Sequence, residues 1–128
     1  MGVESPHIPL TLFVSREPIL LETRVRVLEQ SGVGAVPSHP AQVTALLRSY
    51  QFRVLILCNS LPVEEKREVI AQFKLRYPSG RVVSVNSDDE APQVLGADVE
   101  MYPPVMPSQW ERLCHALKAG GLAKRSER

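Results

Sequence analysis

Apolar residues along this chain fall into two patterns, short continuous runs and longer stretches spaced at three or four residues, and the two alternate. Leu10–Val14 (LTLFV) is a continuous run closed by Pro9 and by Ser15-Arg16-Glu17-Pro18, which predicts a buried strand. From Pro18 the period changes. Leu21, Val25 and Leu28 recur at helical spacing, Glu22, Arg26 and Glu29 mark the wet side, Pro18 suits a first turn and Gly32 a left-handed stop. Val33–Val36 predicts a weak strand, and Pro40–Ser49 a helix led in by Ser38 or His39. Arg53–Leu57 (RVLIL) is the strongest strand signal, apolar and β-branched enough to be covered on both faces. The stretch from Val63 to Pro78 predicts a helix with Ile70, Phe73 and Tyr77 on one side. Arg81–Val85 predicts another buried strand and Asp98–Tyr102 a short last one. A closing helix carries Trp110, Leu113 and Leu117 on one stripe, with Ser108 and Glu111 spaced as a capping box.

Strand and helix therefore alternate through the chain, with a less regular stretch at Ser87–Gly96 before the last strand. Alternation at this spacing implies a parallel sheet with helices on both faces. The expected architecture is a single α/β domain, flavodoxin-like and doubly wound, with a five-stranded parallel sheet in the order 2-1-3-4-5. Residues 10–118 would form that domain, 1–9 an N-terminal extension and 119–128 a flexible basic tail. Ligands in such folds sit beyond the carboxyl ends of the strands. The residues to inspect are thus those just after Val14, Leu57, Val85 and Met101.

Composition narrows the function classes. A chain of 128 residues suits one core, and 44% hydrophobic with 23% charged residues is ordinary for a globular protein. A formal net charge of +1 gives no bulk attraction to nucleic acid. No apolar run approaches the roughly 20 residues that span a bilayer, and the N-terminus lacks the basic-then-apolar order of a secretory signal. A cytoplasmic protein without a nucleic-acid or membrane partner is expected. The two cysteines, Cys58 and Cys114, and the three histidines, His7, His39 and His115, are too scattered for a disulfide framework or a zinc site. No cofactor, metal or catalytic residue is expected.

Three segments carry a family resemblance. Thr11–Gly32 (TLFVSREPILLETRVRVLEQSG), Phe52–Pro62 (FRVLILCNSLP) and Leu95–Leu113 (LGADVEMYPPVMPSQWERL) resemble, in the right order, segments of the receiver domain of bacterial response regulators. The resemblance spans roughly Leu10 to Leu117. It implies a signalling domain in which two carboxylates after the first strand and an aspartate after the third hold Mg²⁺. That aspartate takes a phosphoryl group, whose oxygens a hydroxyl after the fourth strand and a lysine after the fifth would bind.

This chain departs from that pattern at each position. The acidic pair falls on Ser15 and Arg16, the nucleophile on Cys58, the hydroxyl on Asn86 and the lysine on Pro103. The aromatic switch residue of the last strand falls on Glu100, and the helix between the fourth and fifth strands is about one turn short. The expectation is a degenerate, stand-alone receiver-like protein of two-component-type signalling. It would act by protein–protein contact, with an unidentified partner or as a homodimer, and without phosphorylation. Glu100, Tyr102, Met106 and Trp110 are the candidate partner face. Two other roles stay open at this point, a thiol or redox sensor through Cys58 and a small-anion sensor in the vacated pocket near Arg16. Ser87–Glu90 (SDDE) is a further candidate ligand set, though its plainer reading is a solvated turn.

Overall fold

Residues 10–30, 32–87, 96–102 and 107–119 are described by a computed structural model. The elements, in chain order, are β1 (Thr11–Val14), α1 (Pro18–Gln30), β2 (Ala35–Ser38), α2 (Val43–Ser49), β3 (Val54–Leu57), α3 (Val63–Arg76), β4 (Arg81–Val85), β5 (Val99–Met101) and α4 (Pro107–Ala119). A 3₁₀ turn at Pro40–Gln42 leads into α2; His39 caps it, with a reciprocal bond from its own N–H to the Gln42 side chain.

All strands pair in parallel, in the order β2-β1-β3-β4-β5. Because successive strand residues point to opposite faces, residue parity sorts the core into two layers. Phe13, Val54, Ile56, Cys58, Val83, Val85, Val99 and Met101 pack with Val25 and Leu28 of α1 and Leu113 and Cys114 of α4. Leu12, Val14, Leu55, Leu57 and Val82 pack with Val43 and Leu47 of α2 and Val69, Ile70 and Phe73 of α3. The sheet is thus covered on both sides, as a continuously apolar parallel sheet requires.

β2 begins two residues later than its sequence pattern suggests, for a local reason. The N–H of Gly32 donates to the Glu29 carbonyl at 3.0 Å and that of Val33 to the Leu28 carbonyl at 2.9 Å, closing α1 with a paired C-terminal stop. Val33 is therefore spent on the helix end, and pairing with β1 starts at Gly34 and Ala35. Pro37 lies within β2 and lacks an N–H, which an edge strand tolerates. Gly32 sits at φ 88°, in the left-handed region. Gly32→Ala should lower stability by about 1–2 kcal/mol, the cost of that conformation for a residue with a Cβ. Urea denaturation checks this; an unchanged midpoint would refute it. At the other end of the chain, α4 begins at Pro107, so Ser108 lies inside its first turn instead of ahead of it. The shortened helix expected between β4 and β5 lies outside the described residues, apart from its flanks.

Candidate functional site at the carboxyl ends of the strands

Parallel strands in register bring their carboxyl ends to one edge, and single backbone bonds carry the ladder one residue further. Ser15 N–H donates to Ser38 O at 3.0 Å, Cys58 N–H to Val14 O at 3.0 Å, and Asn86 N–H to Met101 O at 2.9 Å. Ser15, Cys58 and Asn86 are thereby fixed side by side, and all three are buried.

The loop after β1 is clasped to the loop after β3. The Ser15 and Ser60 hydroxyls lie 3.1 Å apart, and Ser60 Oγ also accepts from the Arg16 backbone N–H at 3.0 Å. Arg16 turns outward to Glu65 in the first turn of α3, its Nε donating to Oε1 at 2.8 Å and its Nη2 to Oε2 in a second parallel bond. This fork lowers the Glu65 carboxyl pKa and raises that of Arg16. Arg16 therefore does not project across the pocket; its charge is committed at the rim.

The arginine that faces Cys58 is Arg24, half-buried on α1. Its Nη1 donates to Cys58 Sγ at 3.4 Å and to Asn59 Oδ1 at 3.3 Å. The same guanidinium lies over the Trp110 ring, 5.7 Å from its centre, and Trp110 in turn stacks on Phe13 at 6.1 Å. Cys58 is 1% exposed. Burial pushes its thiol pKa up, and the opposing pull of Arg24, through charge and hydrogen bond, does not reverse that. A neutral buried thiol is a weak nucleophile.

From the opposite face of the sheet, Lys66 on α3 enters the same edge. It is 3% exposed, and its ammonium donates to Ser84 Oγ at 2.9 Å, to the Val85 carbonyl at 2.7 Å and to Asn86 Oδ1 at 3.5 Å. Desolvation lowers its pKa to about 8, against the pull of Cys58 and Glu100. Asn86 passes the contact on. Its Nδ2 donates to Glu100 Oε1 at 3.1 Å, and the Tyr102 hydroxyl donates to the same oxygen at 3.3 Å.

The structure thus brings together Ser15, Cys58, Asn86, Glu100 and Tyr102, places Arg16 at the rim and sets Trp110 half-buried against the core. Pro103, Met106 and all of SDDE except Ser87 lie outside the described residues. Sequence reasoning missed Lys66 and Arg24. Lys66 did leave a signal: with Val69, Ile70 and Phe73 it completes an i, i+3, i+4, i+7 set on the core stripe of α3. Arg24, three residues after Leu21 and four before Leu28, borders the core stripe of α1 in the same way.

Mg²⁺ does not fit this donor set. Hard cations take converging oxygens, chiefly carboxylates, whereas the described strand ends present a serine, a thiol, an amide and two cationic side chains, and the carboxylates beside them, Glu65 and Glu100, are engaged by Arg16 and by Asn86 and Tyr102. Among the described residues no group of three or more His, Cys, Asp or Glu side chains is arranged to hold a metal ion.

The shape has clear counterparts among solved structures. A receiver domain from Methylobacillus flagellatus superposes with a TM-score of 0.72 at 14% identity, covering 86% of this chain and 98% of that one. The isolated REC domain of RcsB from Salmonella enterica serovar Typhimurium, solved with phosphomimetic BeF3⁻, gives 0.72 at 19% identity over 94% of each chain. The fold is that of a receiver domain. A structure of histidine kinase ThkA in complex with response regulator TrrA also holds a matching chain, with a TM-score of 0.70, 14% identity, and coverage of 86% of this chain and 98% of that one. No family model and no curated protein matches the sequence. Among the described residues no helix is long and apolar enough to cross a membrane.

Proposed function

We propose that this receiver-fold domain is a cytoplasmic interaction module of two-component-type signalling, binding a protein partner or a second copy of itself without taking up a phosphoryl group. One observation carries the reading. Where receiver-type phosphorylation uses a carboxylate nucleophile and a carboxylate-lined cation site, this edge has the buried Cys58, flanked by Arg24 from one face and Lys66 from the other. The likeness to receiver domains, one of which was solved with a histidine kinase, supports a signalling partner. Glu100 and Tyr102, half-exposed on and after β5, and Trp110, half-buried on α4, are the described residues of the proposed contact face, which we extend to Met106.

Intact mass after incubation with Mg²⁺ and acetyl phosphate tests the reading. The expected result is an unmodified chain in both the wild type and Cys58→Ser; a phosphoryl adduct would overturn it. The same samples exposed to mild peroxide should also stay unmodified at Cys58, since burial keeps the thiol protonated and shielded. An oxidation adduct lost in Cys58→Ser would move the role to thiol sensing.

A further inference from the structure

Lys66 is a buried ammonium held by neutral oxygens, and among the described residues no carboxylate lies within ion-pair distance of it. Among the described residues its titratable neighbours are few. Cys58 faces it from the end of β3 and Glu100 from β5, and β4 offers only Ser84, Asn86 and the Val85 carbonyl. On its own helix, Glu65 is engaged by Arg16. An ammonium has three donors and no acceptor, so it fills all of its contacts here only while charged.

Loss of one proton changes that pattern in a defined direction. A neutral amine keeps two donors and gains a lone pair. The longest of the three bonds, to Asn86 Oδ1 at 3.5 Å, is the first to go. Ser84 Oγ now donates to Asn86 Oδ1 at 3.1 Å; it would gain the amine lone pair as a competing acceptor. Asn86 would then lose both donors to its carbonyl oxygen, the contacts that orient its amide toward Glu100. We propose that Lys66 is a proton-operated latch on the β4–β5 edge, whose charged form locks Asn86, Glu100 and Tyr102 into one chain of hydrogen bonds and whose neutral form releases it. The proposal rests on the reading of Glu100 and Tyr102 as partner-facing, because it gives that face a control buried beneath it.

The test is a pH titration followed by NMR on the protein alone, from about pH 6.5 to about 9.5, a window that brackets a lysine depressed from its usual value. Wild-type Asn86 side-chain amide and Tyr102 ring signals should shift together with a midpoint of about 8, matching that of the Lys66 ammonium observed directly. Lys66→Met should abolish the shift and Cys58→Ser should retain it. Stability supplies a second readout. The folded pKa is depressed to about 8 from the ordinary 10.5, so between those values the unfolded chain binds more protons. Wild-type stability relative to Lys66→Met should therefore rise with pH through that window. The proposal is overturned if Asn86 and Tyr102 do not titrate, if their shift persists in Lys66→Met or vanishes in Cys58→Ser, or if their midpoint differs from that of Lys66. The wild-type comparison decides even where the variant fails to fold. No phosphoryl donor or partner enters this experiment, so its failure would leave the proposed function standing.

Discussion

Phe73→Ala is expected to lower the unfolding free energy by about 3–5 kcal/mol, the range for deleting a buried aromatic ring. Phe73 is fully buried on the core face of α3, with Val69 and Ile70 beside it and Leu55, Leu57 and Val82 of the sheet in the same layer. Its ring also meets Tyr77, whose hydroxyl donates to the Tyr50 carbonyl at 2.7 Å and so ties the end of α3 to the segment before β3. The space around the ring is already full: a Cβ at Gly80 would come within 2.5 Å of Phe73 Cε2 and 2.6 Å of Cζ. Gly80→Ala should consequently cost about 1–3 kcal/mol by overpacking. Combined with Phe73→Leu it should cost less than the sum of the two, since the shorter side chain makes room. Chemical denaturation of the singles and the double decides this; strict additivity would place the Gly80 effect elsewhere. A loss below about 1 kcal/mol for Phe73→Ala would refute the assignment of this ring as the anchor of the α2–α3 layer.

Asp98→Ala should cost about 1–3 kcal/mol, because it orphans a buried donor. Asp98 is itself buried, and its Oδ2 accepts from the Val82 N–H at 2.9 Å while its own N–H donates to the Val82 carbonyl at 2.8 Å. Lys74 stands 3.6 Å from the same oxygen and donates to the Gly80 carbonyl at 2.7 Å. β5 is only Val99–Met101, an edge strand with one neighbour, so this brace fixes where it starts. Asp98→Asn retains an oxygen acceptor and should recover most of the loss. The consequence reaches the candidate site: amide exchange along β5, including Met101, should quicken in Asp98→Ala, and unchanged protection there would disprove the brace.

The two braces differ in what they hold. Phe73 secures the layer from which Lys66 is presented, whereas Asp98 sets the position of the strand bearing Glu100. Both lie outside the strand-end edge itself, which is why they should change stability and the geometry of the latch without altering its chemistry. The edge has a charge pattern opposite to a carboxylate-lined cation site, with the cations Arg24 and Lys66 supplied by helices on the two faces of the sheet.

The sequence by itself determined the alternation of strand and helix, the parallel sheet and the stop of α1 at Gly32, because these rest on period, β-branching and backbone freedom at short range; the 2-1-3-4-5 order came only with the doubly wound fold class that this alternation suits. It also placed Ser15, Cys58 and Asn86 at the strand ends, a direct consequence of where the apolar runs stop. Only the tertiary structure decided what those residues meet. Lys66 reaches β4 across a separation of 18 to 20 residues, Arg24 reaches Cys58 across 34, and Arg16 finds Glu65 across 49. The start of β2 likewise waited on how Val33 was used at the end of α1. Hydrophobic periodicity records the average environment of a helix face, and a long charged side chain on that face counts against burial. Its charged tip goes wherever acceptors lie within reach, and those acceptors come from segments that only folding brings near.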